Sequence, residues 1–393
     1  MDEEAKNPIL KTILAGIQQY SMLIALLIVI TIFGITTRGT LLVPQNVSNL
    51  VNQLGYVVIL AVGMLLCILT GGNIDLSVGS VVGLVGAVAA KLIIEYKFNT
   101  VVGILIALLV GALIGAWHGM WIAYVKIPPF IVTLTGMLIF RGLTQVVLQG
   151  MTLSGFTDLY LQLNEFVPDV FAGAVDKFNL TCFIIGIVAA IAFVGVQIFS
   201  RIRKAKKGYE NDHIVAFLLK NTLVTIAVLL ISFSLASFNG IPNVLIILAI
   251  IVLVYSYITN KTVAGRYLYA LGGNEKAARL SGIDTRKVFF LAYTNMSFLA
   301  AVAGIVFSAR LTSAAPNYGD GFELDAIGSC FIGGASAYGG IGTVGGVLIG
   351  AAFMGILNNG MSIMGVPVDW QKVIKGLVLL LAVAYDVVSK RKK

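Results

Sequence analysis

Residues 100–124 read TVVGILIALLVGALIGAWHGMWIAY, a run without Asp, Glu, Lys or Arg. About 20 predominantly apolar residues are enough for one helix to cross a bilayer. Working outward, comparable windows fall at 20–36, 50–70, 74–90, 128–149, 180–200, 217–237, 243–259, 288–310, 326–340, 343–360 and 371–388. The 393 residues are 58% hydrophobic and only 11% charged, with a mean hydropathy of +0.96. A soluble domain carries about a quarter charged residues. The composition therefore predicts an all-α polytopic membrane protein with about 10–12 transmembrane helices. A membrane β-barrel would show weaker, alternating segments instead. The windows 74–90 and 326–340 are short and Gly-rich, and each is a candidate broken or re-entrant element. Removing one alone would invert the charge pattern of everything after it, so both cross or neither does.

That charge pattern gives an orientation. Basic residues gather in 201–207 (RIRKAKK), 261–287 and 390–393 (KRKK). Acidic ones gather in 150–179, with Asp158, Glu165, Asp169 and Asp176 against Lys177, and in 316–325, with Asp320, Glu323 and Asp325. Twelve crossings put the basic loops, including the loop at about 201–213, on the cytoplasmic side with both termini. The net charge of +9 is thus read as loops facing anionic lipid, not as a nucleic-acid surface. Cys67, Cys182 and Cys330 lie in apolar stretches and read as buried thiols. The first residues, MDEEAKNPILK, are acidic where a signal peptide is basic, so the first span is expected to be retained. No stretch outside the spans is long enough to fold alone, which makes residues 1–393 one transmembrane domain.

One segment breaks the apolar monotony: YALGGNEKAARLSGID, residues 269–284. Asn274 suits an N-cap, Glu275 the positive end of a helix, and Gly282 the position just past its C-terminus. Glu275 and Arg279 stand at i, i+4 in the favourable order, with Lys276 beside them. Ala277, Ala278 and Leu280 add small apolar surface. A solvated loop needs no caps. A short capped helix with small residues reads as a docking surface within the cytoplasmic loop 261–287.

Inside the spans, glycines recur four apart at Gly79/Gly83, Gly111/Gly115/Gly119 and Gly342/Gly346/Gly350, the spacing that lets helix backbones approach. Polar groups at membrane depth are few and costly. Asp75, next to Asn73, reads as a cap for a helix that begins inside the membrane and as a candidate for the translocation path. Arg141, in mid-span, needs a partner, for which Asp75 is a candidate. Asn295, Asn358 and Asn359 suit interhelical hydrogen bonds, with Asn358 also a path candidate. Trp121 and Trp370 suit the membrane interface. Two histidines and scattered cysteines assemble neither a metal site nor a catalytic set.

Several stretches resemble one family: AVGML (61–65), NIDLSVGS (73–80), FIVTLTGMLIFRG (130–142), GRYLYALGGNEKAARLSGI (265–283), ELDAIGSCFIGG (323–334) and NNGMS (358–362). They are similar to permeases of ATP-binding-cassette importers for monosaccharides, of the ribose, xylose, arabinose and galactose type. In length the chain is most like the xylose and multiple-monosaccharide branch. Segment 269–284 resembles the loop on which the ATPase of such importers docks, with Lys276 interrupting the family's Glu-Ala-Ala. The resemblance implies a type II-like permease with three partners: a cytoplasmic ATPase, an external sugar-binding protein and a second permease copy. It makes Asn274, Glu275, Lys276, Ala277, Ala278, Arg279 and Gly282 the ATPase-coupling residues. It makes Glu323 and Asp325 docking candidates for the binding protein. There is no GxxxxGK[ST] phosphate loop, so ATP would be hydrolysed by the partner and no cofactor held here. The alternative is an ion-coupled secondary sugar carrier, which usually needs several intramembrane carboxylates, where Asp75 and Asp386 are nearly alone.

Overall fold

The computed structural model describes residues 8–173, 177–209 and 214–391. Asp176, residues 210–213 of the basic loop and the last two lysines lie outside them. Fifteen α-helices follow in order among the described residues: α1 (Pro8–Thr36), α2 (Pro44–Leu69), α3 (Val78–Ala90), α4 (Thr100–Met120), α5 (Pro129–Leu148), α6 (Asp158–Leu161), α7 (Leu180–Lys206), α8 (Ile214–Ala236), α9 (Asn243–Lys261), α10 (Val263–Gly273), α11 (Glu275–Leu280), α12 (Thr285–Arg310), α13 (Phe322–Ile332), α14 (Val344–Ile363) and α15 (Val368–Arg391). Single π-turns, Lys91–Glu95 and Trp121–Val125, extend α3 and α4. The strands Leu153–Ser154 and Ser313–Ala314 pair antiparallel. Among the described residues, eight helices are long and apolar enough to cross a membrane. The all-helical, multi-spanning class expected from the composition is the class observed.

Helix α2 is the buried axis, with every residue from Gly55 to Leu69 buried. It runs antiparallel to α12: Gly55 lies against Val306, Gly63 against Met296, and the Cys67 thiol reaches the Ala292 carbonyl. It runs parallel to α13, because the Tyr56 hydroxyl donates to Asp325 Oδ2 and Cys330 Sγ to the Ala61 carbonyl. All three cysteines are buried and free.

The glycine ladders are close backbone contacts, except that Gly342 lies in the link before α14 and not on its face. A Cβ on Gly111 would sit 2.3 Å from Ala301 Cβ, and one on Gly115 2.7 Å from Thr294 Cα, both on α12. On Gly119 it would lie 2.8 Å from the Phe290 carbonyl. Gly346 and Gly350 press on the carbonyls of Gly333 and Ser329. Gly79 and Gly83 do the same to the carbonyls of Gly319 and Tyr318.

Two expectations change. The element expected at 326–340 is a half-length helix, α13, followed by irregular chain to Thr343. Gly334, Gly339, Gly340 and Gly342 take positive φ there, a conformation that ends a helix. At 11 residues α13 is too short to span alone, whereas α3 with its π-turn reaches 18 residues. Secondly, Asp325, expected in an acidic loop, is inside α13 and buried.

Gly115→Val should lower the melting temperature in detergent, since overpacking a close contact costs about 1–3 kcal/mol. Gly142→Ala, whose new methyl meets nothing within 4 Å, should raise the melt slightly, as alanine favours the helix by about 0.4–1 kcal/mol. Equal melts for both variants would mean that α4 and α12 do not pack as described.

Candidate functional site

Three polar regions stand out in the fold. The first is the α10–α11–α12 segment. Asn274 Oδ1 accepts the Ala277 N–H at 3.0 Å. At the other end Gly282 has φ 85°, and the Ile283 and Gly282 N–H groups bond the Ala278 and Arg279 carbonyls, each at 3.1 Å. That pair of bonds is a Schellman motif, closing the six-residue α11 from both sides. Thr262 caps α10 through the Gly265 N–H, and Asp284 caps α12 through that of Lys287. Ala278 is buried, pinning α11 to the body, while Leu280 is 90% exposed. Burying a leucine is worth about 1.5–3 kcal/mol, so α11 presents an unused apolar contact. Neither Glu275 nor Arg279 enters an ion pair among the described residues. The sequence reading noted Leu280 as apolar but did not single it out; exposure is not legible from spacing.

Behind α10, glycines make a junction without side chains. A Cβ on Gly272 would lie 1.9 Å from the Leu69 carbonyl and 2.3 Å from Gly340 N. One on Gly72 would lie 1.9 Å from the Ala337 carbonyl. The Gly340 N–H donates to the Leu69 carbonyl at 3.1 Å, and the Tyr269 hydroxyl to that of Gly342 at 2.8 Å. Asp386 on α15 accepts the Ala337 N–H. The segment carrying α11 is thus in direct backbone contact with the end of α2 and with the turn between α13 and α14.

The second region is the irregular link 70–77 between α2 and α3. Non-helical backbone at membrane depth is tolerated where protein buries it or water reaches it. Asp75 is fully buried. Its Oδ1 accepts the Ser77 N–H at 2.8 Å and the Ser77 hydroxyl at 2.6 Å, while its Oδ2 has no partner. Asp75 therefore braces Ser77, which is the residue at the N-cap of α3, and is not itself the cap the sequence suggests. Asn73 Nδ2 reaches the Thr70 carbonyl and hydroxyl, both at 3.3 Å, at the end of α2.

The third region is a charged network around the start of α13, level with Tyr56 in the middle of α2. Arg141 pairs with Asp320 at 2.8 Å, not with Asp75, which corrects the pairing offered above. Asp320 lies 179 residues away in sequence, beyond the reach of any local pattern. Lys372 holds the other Asp320 oxygen at 2.8 Å. Lys375 pairs with Asp325 at 2.9 Å, Asn358 Nδ2 donates to Asp325 Oδ1 at 3.1 Å, and the Tyr56 hydroxyl completes the shell. Asp325 is 0% exposed, so its carboxylate is occupied inside the protein and not presented on a surface. Glu323 Oε2 is buried without a partner. The structure brings Arg141, Asn358, Glu323 and Asp325 into this one region and leaves Asn73 and Asp75 apart from it. Lys372 and Lys375, three apart on α15, were missed. Two lysines inside an apolar helix were the available signal.

The other asparagines bridge helices as expected. Asn46 and Asn359 exchange amide hydrogen bonds of 2.8 and 3.1 Å, and the Tyr255 hydroxyl donates to Asn295 Oδ1. Trp370 is 62% exposed, while Trp121 Nε1 is buried without a partner. His118 is buried in contact with Gly136 and Phe140. Among the described residues no group of His, Cys, Asp and Glu could hold a metal.

A bundle of membrane-length helices packed around buried charges is a polytopic membrane protein. The chain belongs to the family described as "Branched-chain amino acid transport system / permease component", whose model matches residues 46–194 and 169–383. The xylose transport system permease protein of Escherichia coli (strain K12) is 39% identical over 378 residues, 96% of this chain and 93% of the relative. That of Haemophilus influenzae (strain ATCC 51907 / DSM 11121 / KW20 / Rd) is 38% identical, covering 96% and 98%. The ribose import permease protein of E. coli (strain K12) is 36% identical, covering 95% and 94%. These relatives are transport permeases, not enzymes. No solved structure matches the chain.

Two predictions follow from the charged network. The hydrogen bond from Lys372, aided by the charge of Arg141, holds the Asp320 carboxyl below its ordinary value of 3.8. A depressed carboxylate stabilises the fold fully above its unfolded value and loses that contribution as pH falls through the folded one. The acid limb of a melting-temperature profile below about pH 4 should therefore flatten in Asp320→Asn. Lys375→Met strands a buried carboxylate and should cost about 3–5 kcal/mol. Adding Asp325→Asn should recover much of that loss in the same thermal melt.

Proposed function

We propose that this chain is the membrane subunit of an ATP-driven importer for monosaccharides of the xylose, galactose, glucose or arabinose class. In this reading it sits in a bacterial inner membrane with both termini and the 261–287 segment in the cytoplasm. A separate ATPase hydrolyses ATP, an external binding protein delivers sugar, and a second copy of the chain completes the path. The near full-length likeness to xylose and ribose permeases supports the substrate class. The observation that carries the mechanism is α11: capped at both ends, fixed by Ala278, with Leu280 open to a partner.

Motion of the ATPase would reach α11 through Asn274, Glu275, Lys276, Ala277, Arg279 and Leu280, with Ala278 and Gly282 holding its shape. The glycine junction at Gly272 and Gly340 would pass it to α2 and to the turn after α13. Asn73 and Asp75 stand at that inner end. Arg141, Asn358 and the α13 start stand farther along α2, level with Tyr56, where Glu323 is the nearer candidate for contact with the binding protein. Asp325 would act from inside, by holding α13 to α15. The single transmembrane domain of 1–393 is then one lever with two ends.

The test uses the complex purified from its native membrane and reads ATP hydrolysis stimulated by sugar-loaded binding protein. Glu275→Arg and Leu280→Glu should each abolish the stimulation while the chain inserts and melts normally. Unchanged stimulation would remove α11 from the mechanism. Asp75→Ala should lower uptake and leave the melt intact if Asp75 lines the path; a collapsed melt would make it a brace for Ser77 alone.

A further inference from the structure

A cavity of about 370 Å³ opens between α2, α9, α10 and α12. Asp284 and Lys287 stand at its start and Asn295 at its far end. Eleven residues of α12 separate Asp284 from Asn295, about 16 Å at helical rise. The cavity is therefore long and open along α12, a shape that suits an extended chain. The walls are Leu66, Ile258, Leu268, Val288, Leu291 and Ala292. Tyr267 and Leu291 are 39% and 52% exposed, so the cavity opens sideways as well as at its charged end.

The charge at the mouth selects the ligand. Lys287 is exposed and enters no ion pair among the described residues. Residues 261–287 carry Lys261, Arg266, Lys276, Arg279, Arg286 and Lys287 against only Glu275 and Asp284. Basic residues at a membrane surface attract anionic headgroups. A sugar in this cavity would turn most of its hydroxyls to aliphatic walls, each an unmade hydrogen bond. An acyl chain leaves no hydrogen bond unmade there and exchanges bilayer contacts for close packing against these walls.

We propose that the cavity holds one acyl chain of an anionic membrane phospholipid, with the lipid phosphate on Lys287. The occupant sits between α10 and α12, the two helices that carry α11, and stiffens the base on which α11 stands. The lipid site is independent of the importer reading; only its link to ATP coupling rests on it. Two polar side chains meet at the far end of the cavity: the Tyr255 hydroxyl donates to Asn295 Oδ1, and Asn295 Nδ2 is buried without a partner. A sugar would use that open donor and an acyl chain would not, so Asn295 separates the two occupants.

The experiment reconstitutes the full chain, without ATPase, in nanodiscs containing phosphatidylglycerol or phosphatidylcholine with a diazirine on the acyl chain. Photolabelling should fall on residues 264–268 and 284–295. Ala264→Trp, which fills the cavity, should remove the label. Lys287→Glu should cut the preference for phosphatidylglycerol more than about fivefold, since one lysine beside an anionic surface is worth that much and the new carboxylate repels the headgroup as well. Asn295→Leu should keep the label. The proposal is overturned if labelling survives Ala264→Trp, if it is lost in Asn295→Leu or competed away by free xylose, or if Lys287→Glu leaves the headgroup preference unchanged. Should Ala264→Trp not fold, the exposed Lys287→Glu decides alone. Labelling reads the site without ATP, so its failure is distinct from a failure of sugar-stimulated hydrolysis.

Discussion

The fold depends on backbone meeting backbone. Inside a bilayer the hydrophobic effect does not hold helices together, because lipid is as apolar as a leucine. What remains is close packing, and this chain achieves it by omitting side chains. Gly111, Gly115 and Gly119 let α4 lie on α12. Gly333, Gly346 and Gly350 let α13 and α14 fold against each other. Gly72, Gly272 and Gly340 bring the α10 segment onto the end of α2. The charged groups are then arranged around a frame already fixed by those contacts.

Two parts of that frame are built differently. At the α11 end the helix is closed by local bonds, within a few residues of chain, and backbone contacts through Gly272 and Gly340 seat it on α2. Elsewhere side-chain bonds join distant segments: Arg141 to Asp320, Lys375 to Asp325, Asn46 to Asn359. The buried pair between α13 and α15 gives the half-length helix an anchor that its own 11 residues cannot supply. Breaking such a pair is expensive even where forming it gains little. It therefore fixes which neighbour α13 chooses more than how stable the bundle is.

This difference explains what the sequence could reveal. The caps of α11 were readable because Asn274 and Gly282 act on N–H and C=O groups three to five residues away. The glycine spacing was readable as a contact face, but not which helix it would meet. The Arg141 partner was not readable, since only the folded chain brings loop 316–321 to α5. The start of α13 was missed because its cap, Gly321, has φ 78° and offers no side-chain bond to betray it. Leu280 was visible as apolar, yet its exposure depends on Ala278 being the residue that turns inward.

The local construction of α11 has a consequence for how such a protein diversifies. Its shape rests on Asn274 and Gly282, and its exposed residues contribute nothing to the bundle's packing. Those outward positions can thus change together, recolouring one small face without refolding anything behind it. The glycine junction beneath has the opposite fate: any side chain there collides with carbonyl oxygens or backbone nitrogen. Natural variation in this protein should therefore be abrupt across a few ångströms, permissive on the outside of α11 and nearly frozen just beneath it.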